Sequence, residues 1–314
     1  MNYILNNSQL EGLNYLVKEN IGDKNDLSIL NNYGSKELAE EDKVFFQENN
    51  IINKDGDITN SDMFEILAKP SALAKFMLTG GSNKFEYTVS YDKDKEKNIA
   101  FTKTPEYNVI DDETKRQDIT EMIGNFVGKT NLKSIAIKHK FSPEEAIVIA
   151  AMIDLERRTI LRAFVDELPY TNNKYGVNMT WRMVHGSSKS IQWFVYCISE
   201  VIGEDISLKQ DQVKDILDKL KDKGIVSEQY GQYQLSDNLS QLANRMIIIN
   251  NIMTMETMGN NSENELINAG FTCIQSGVHD ILLLDYDGDE VMFETISSEL
   301  LIEYIDKFLE LDNF

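Results

Sequence analysis

The stretch "FFQENNIINKDGDITNSDMFEILAKP", Phe45 to Pro70, can be laid over "LKDKGIVSEQYGQYQLSDNLSQLANR", Leu220 to Arg245. With a one-residue gap after the isoleucine, Ile51 falls on Ile225, Gly56 on Gly231 and Leu67 on Leu242. Both copies read as a helix end, a short apolar pair, a Gly-containing turn and a capped helix. The first copy also invites a calcium reading, because Asn53, Asp55 and Asp57 stand at alternate positions. An EF-hand loop needs Gly at its sixth position and a bidentate Glu at its twelfth. Counted from Asn53, those positions hold Ile58 and Phe64, and Glu65 comes one place late. In the second copy the turn is "SEQYGQY", without the carboxylates. The copies share the turn and the apolar positions, so a structural reading covers both and a calcium reading only one.

The parallel continues downstream. "FEYTVSYDKDKEKNIAFTKT" (Phe85 to Thr104) resembles "ILLLDYDGDEVMFETIS" (Ile281 to Ser297): each alternates, breaks at a polar tip and resumes, the signal of a β-hairpin. Asp287-Gly288 suits a tight turn with positive φ. Asp285, Asp287 and Asp289 fail the calcium count as well, since the sixth and twelfth positions are Glu290 and Ile296. An amphipathic helix follows each hairpin. "DITEMIGNFV" is expected to bury Ile119, Met122, Ile123 and Phe126, and "ELLIEYIDKFL" to bury Leu300, Leu301, Ile305 and Leu309. The order of elements therefore predicts an α+β fold of two similar units, residues 30–128 and 205–310. Each has a winged-helix-like entry, an antiparallel hairpin and packing helices. The chain divides into a first α+β unit with an N-terminal helix (1–128), a helical connecting segment (129–204) and a second α+β unit (205–314).

Within the second copy, Ser207 and Gln210 make a capping box before the stripe Val213, Ile216, Leu217 and Leu220, and Gly224 suits a left-handed helix end. The polar face alternates Lys209, Lys214, Lys219, Lys221 and Lys223 with Asp211, Asp215, Asp218 and Asp222. That is a balanced solvated face rather than a cluster for base edges.

The connecting segment has the opposite charge balance. Residues 128–197 carry ten Lys and Arg against six Asp and Glu, a net +4, so the other 244 residues carry −25 of the chain's −21. A long helix opens at "SPEE", with Ser142 as N-cap, Pro143 in the first turn and Glu145 closing the box. Its apolar positions include Ile147, Ala150, Met152, Ile153, Ile160, Leu161 and Phe164. "PYTNNKYGVNMTWRMVHGSSKSIQWF" then reads as a surface connection followed by a helix from Ser188. It offers Tyr175, Trp181 and Arg182 as candidate partner-binding anchors, because Trp, Tyr and Arg dominate interface energetics.

No catalytic, cofactor-binding or metal-ligating set emerges. "HGSSKS" (His185 to Ser190) lacks the spacing of a phosphate loop. His139, His185 and His279 are far apart in sequence, and Cys197 and Cys273 form neither a disulfide framework nor a metal pattern. The start of the sequence has no basic and apolar leader, and the longest apolar run, Met246 to Ile249, is far too short for a membrane span. A cytoplasmic protein with reduced thiols and no membrane insertion is expected. The net charge of −21 argues against duplex DNA as the partner.

The stretch "NNIINKDGDITNSDMFEILAKP" with "FEYTVSYD" after it, and the echoes from Gly224 and Ile281, resemble the EspG family, cytosolic substrate chaperones of type VII (ESX) secretion. The resemblance implies a quasi-two-fold fold in which an exposed sheet and neighbouring helices hold helical substrates. It also implies a non-enzymatic, chaperone-like protein-binding role, with a small helical protein as partner and no cofactor. A winged-helix DNA-binding regulator is the alternative reading.

Overall fold

The computed structural model describes residues 2–80, 83–167, 173–204, 206–260 and 265–311. The chain begins with β1 (Asn2–Leu5), α1 (Asn7–Ile21), α2 (Glu40–Glu48) and α3 (Ser61–Ala68). Four strands follow, β2 (Ala72–Gly80), β3 (Asn83–Asp92), β4 (Lys97–Lys103) and β5 (Asn108–Asp111), and then α4 (Arg116–Val127). The middle of the chain holds β6 (Lys138–Phe141), α5 (Pro143–Val165), β7 (Tyr175–Gly176), α6 (Val177–Gly186) and α7 (Phe194–Ile202). Next come α8 (Gln210–Asp222), β8 (Val226–Gln229), β9 (Gln232–Leu235) and α9 (Asp237–Arg245). The chain closes with β10 (Asn251–Asn260), β11 (Leu266–Gln275), β12 (Ile281–Tyr286), β13 (Val291–Ile296) and α10 (Ser298–Phe308). The fold is mixed α and β with a large antiparallel sheet.

The two stretches aligned by sequence have the same local bonding. After α2 the chain turns at Asn50 (φ 55), and the Ile51 amide donates to the Phe46 carbonyl at 2.8 Å. After α8 it turns at Gly224 (φ 71), and the Ile225 amide donates to the Leu220 carbonyl at 2.9 Å. Both are left-handed helix ends closed by a six-to-one bond. Ile51 then accepts from the Thr59 amide, and Ile225 from the Ser236 amide, each at 3.0 Å. The excursion between differs in length. In the first copy a single bridge, Ile52 to Ile58, closes it; in the second, β8 and β9 pair over Val226↔Leu235 to Gln229↔Gln232. Leu67 of α3 and Leu242 of α9 are both buried. Along the chain, each module is followed by four strands and a helix: β2 to β5 with α4, and β10 to β13 with α10.

Both expected hairpins form, as β3–β4 and β12–β13. They hold different places in the two runs, second and third strands in one, third and fourth in the other. The acidic tips have a structural use. Asn53 Oδ1 accepts the amides of Asp55 and Asp57 at 2.8 and 2.9 Å. Asp287 Oδ1 accepts those of Asp289 and Glu290 at 3.0 and 2.8 Å, which holds its carboxyl below the usual range, while Gly288 takes φ 99. These are Asx turns.

Two compact units divide the chain: residues 1–125, 254–270 and 302–314 form one, and 126–253 with 271–301 the other. In the first, strands run in the order β1-β5-β4-β3-β2-β10, and the core gathers Leu10, Leu13, Phe46, Phe64, Leu67 and Phe101. In the second, the part of β11 from Phe271 onward forms a ladder with β12, β13 and β6, and β7-β9-β8 make a separate three-stranded sheet. Its core surrounds α5, whose residues Ala146 to Ile153 are all buried. A helix apolar on every side has to be covered on every side, and α6, α7, α8 and α9 all pack on α5.

Several expectations need correction. The buried stripe of α4 is Ile119, Ile123 and Val127, one residue per turn, so Met122 and Phe126 lie beside it and face outward. α10 buries Leu301, Ile305 and Leu309 as expected, with Leu300 only half-buried. α8 starts after Lys209, whose amide donates to Gln212 Oε1 at 2.8 Å, so the box falls two residues beyond Ser207 and Gln210. The stretch read as a surface connection contains α6, which buries Thr180, Met183 and Val184 at helical spacing. "HGSSKS" therefore closes a helix instead of opening one, and the next helix starts at Phe194. Residues 169–172 of that stretch lie outside the described residues.

Candidate protein-binding surface

In the second unit, α5 is fixed by one ion-pair network. Asp154 and Arg157, a turn apart, are both buried and meet at 2.7 Å. Asp154 also accepts the amides of Phe194 and Val195 at 3.0 and 3.1 Å, the open start of α7. Arg157 donates to the carbonyls of Gln192, Met246 and Ile247 at 2.7, 2.6 and 2.9 Å. Burial pushes the Asp154 carboxyl up and the Arg157 guanidinium down, and their mutual attraction opposes both. With every arm bonded, the pair works as a joint between helices. The cap expected at Ser142 and Glu145 is present, with bonds of 3.2 and 3.3 Å, and Glu145 also accepts from Lys223 at 2.7 Å.

The buried stretch of α5 ends before the helix does. Phe164 is 71% and Val165 81% exposed, and Leu161 is also exposed. β7 lies next to these turns, since the Tyr175 hydroxyl bonds Thr159 Oγ1 at 3.2 Å. The ladder pairs Tyr175 with Tyr233 and Gly176 with Gln232, which sets the start of α6 beside the tip of the β8–β9 hairpin. At that tip Tyr230 has φ 54 and is 95% exposed. A bulky residue in that region is strained, and nothing in the fold is gained from the ring. Gly231 follows with φ 74, its amide on Glu228 Oε1 at 2.7 Å. Met179 on the first turn of α6 is exposed too. The same elements carry Arg158 and Arg162 on α5 and Arg182 on α6, with Lys174 just before β7. Arg158 lies over the Trp193 ring at 5.6 Å, Arg162 pairs with Asp166 at 3.2 Å, and Lys174 bonds the Gln229 side chain.

The three anchors read from sequence separate here. Tyr175 is 2% exposed and belongs to the core, so it is not a surface anchor; its hydroxyl is spent on Thr159. Trp181 is half-buried against the same core, and its Nε1 donates to the Leu208 carbonyl at 2.9 Å. Its ring lies 5.2 Å from that of His185. Arg182 is exposed on α6. Missed by the sequence reading were Phe164, Val165 and Tyr230. A signal existed for each: apolar residues prolonging α5 past its last turn of core, and an aromatic beside glycine in a hairpin tip.

Burial pushes the Cys197 and Cys273 thiols up. Among the described residues, no group of three His, Cys, Asp or Glu is placed to hold a metal ion. No described helix is long and apolar enough to cross a membrane.

No family model matches the chain, and no curated protein matches it. Among solved structures, it is similar to a chain in the complex of the Mycobacterium tuberculosis type VII secretion system chaperone EspG5 with the PE25–PPE41 dimer. The match covers 99% of this chain and 96% of that one, with a TM-score of 0.51 and 9% sequence identity. At that identity the likeness is one of fold, and the fold it points to is that of a chaperone solved with a protein dimer bound.

Proposed function

We propose that this chain is a non-enzymatic, chaperone-like protein-binding module that holds a helical protein on the apolar and basic surface of its second unit. One observation carries the reading. Phe164 and Val165 at the end of α5, Met179 on α6 and Tyr230 at the β8–β9 tip are exposed, and α6 also carries Arg182, in a chain of net charge −21. Exposed apolar groups concentrated in one place mark an interaction site, and the locally reversed charge suits an acidic partner. The likeness to a secretion chaperone bound to a dimer supports a protein partner, and a secretion substrate handled in the cytoplasm is the specific form proposed.

Duplication belongs to the same reading. Matching helix ends at Asn50 and Gly224, and the order helix, turn, helix, four strands, helix in each half, support descent from one α+β unit. The three-segment division at 128 and 204 describes this order along the chain, separately from the compact units. The second copy, joined by β7, has the grammar of a winged helix. Three of its lysines serve within the protein: Lys214 and Lys221 approach Asp218 at 2.7 and 3.7 Å, and Lys223 holds Glu145. Phosphate contacts would have to break these pairs, which disfavours the DNA-binding alternative.

The test is quantitative mass spectrometry of what co-purifies with the intact protein, at low and high salt. A single helical protein retained in stoichiometric amount supports the proposal. Nucleic acid lost steeply with salt, and no protein, would replace it with the regulator reading.

A further inference from the structure

β11 has an open edge. Its ladder with β12 covers Thr272 to Gln275 only. On the other side its neighbour is β10. Residues Leu266 to Gly270 thus have no strand on the β12 side among the described residues. Leu266 is 58% and Ile267 43% exposed, Asn268 and Ala269 are exposed as well, and Gly270 is half-exposed. An uncovered strand edge presents a row of backbone donors and acceptors, and proteins ordinarily guard it with charge, proline or a bulge. β6 shows such a guard: Lys138 and Lys140 stand on it, paired to Glu294 and Glu290 at 2.9 and 3.2 Å. "LINAG" has no charge and no proline.

We infer that Leu266–Gly270 of β11 pairs antiparallel, edge to edge, with the same segment of a second copy of this chain. The sequence is self-complementary about Asn268. A two-fold axis there sets Leu266 opposite Gly270, Ile267 opposite Ala269, and Asn268 opposite itself, so each large side chain meets a small one and amide meets amide. Gly270 is also required within the chain, because a Cβ there would stand 2.6 Å from the Met255 carbonyl oxygen. Two copies of net charge −21 repel at long range, and an uncharged edge is where they can approach. A short ladder of this kind makes a weak, reversible dimer. Salt screens the repulsion between the copies and leaves the apolar and backbone contacts intact, so association strengthens with ionic strength. An interface built on ion pairs would behave in the opposite way.

Sedimentation velocity of the intact protein over a concentration series, at low and at high salt, tests this. The expected result is a monomer–dimer equilibrium that moves toward dimer as either concentration or salt rises. Ile267→Lys should abolish it with the thermal midpoint unchanged, and Ala269→Lys, on the same edge, should do the same and guard against a variant that fails to fold. A protein that stays monomeric at high concentration and high salt would overturn the inference, including the case where a strand of another protein fills the edge. So would a dimer that survives both lysine variants in folded protein.

Discussion

The modules at 45–68 and 220–245 leave their first helix in the same way and enter their second in the same way, yet only the second reaches out. In the first, seven residues from Ile52 to Ile58 form a tight turn held by the Asn53 side chain, and a single bridge suffices. In the second, ten residues from Val226 to Leu235 make a true hairpin, β7 adds a third strand, and the tip ends in an exposed tyrosine. The shared part is what the core dictates: an apolar pair, a left-handed residue, a buried leucine. The divergent part keeps Val226, Tyr233 and Leu235 in the core, and its exposed tip, which bears no packing load, could be put to another use.

The modules also differ in how they are moored, and there the largest effect is expected. The second is tied through Arg157 to carbonyls just beyond α9. The first is tied by neutral bonds, Ser28 Oγ to the Leu67 carbonyl at 2.7 Å and Asn25 Nδ2 to the Pro70 carbonyl at 2.9 Å. Asp154→Ala should cost about 3–5 kcal/mol, because it leaves Arg157 buried without its counter-charge. Ser28→Ala should cost about 1 kcal/mol, the ordinary worth of a neutral bond. Chemical denaturation of both variants reads the contrast, and equal losses would mean that the charged joint is no stronger than the neutral one.

The helix ends allow a smaller test with opposite signs. Gly224→Ala should destabilise by about 1 kcal/mol, since a Cβ meets nothing within 4 Å and only the left-handed backbone resists it. Asn50→Gly sits in the same conformation and should be neutral or slightly stabilising. If Gly224→Ala were harmless, the two turns would not be equivalent.

Much of this was legible in the sequence because it is local. The α5 cap at Ser142 and Glu145, the Gly224 turn and the β12–β13 tip each depend on a few adjacent residues, and each formed where expected. The surface was harder to read. Trp181 and Tyr175 look like anchors by type, but whether an aromatic faces water depends on partners distant in sequence, Leu208 and Thr159. α6 was hidden by its polar residues and flanking glycines, although Thr180, Met183 and Val184 have helical spacing. Met122 and Phe126 fit the period of α4 but lie beyond the width of its buried stripe.

A pH effect, smaller again, should mark the second module. Asp218 accepts from Lys214 and from the Tyr233 hydroxyl, both at 2.7 Å, and these bonds hold its carboxyl at about 2, below the ordinary 3.8. A depressed carboxyl contributes stability above its unfolded value, and that contribution disappears as pH falls from 3.8 toward 2. Asp218→Asn should flatten the pH dependence of the urea midpoint within that window. An unchanged slope would show that the bonds are too solvated to matter. In the first module, Asp55→Ala with Asp57→Ala should leave calorimetric titration with calcium as featureless as in the parent protein, because Asn53 already organises that turn; a calcium-binding heat lost in the double variant would contradict this.

The most direct measurement pairs binding with stability in the variant Phe164→Ser with Tyr230→Gly. Glycine relieves the left-handed strain at 230 and serine removes an exposed ring, so the thermal midpoint should hold or rise slightly. Recovery of the co-purifying partner should fall at least about tenfold, the loss of roughly 1.4 kcal/mol of binding free energy. Undiminished recovery of the partner, with the fold intact, would contradict the claim that the second module and the end of α5 form the binding surface.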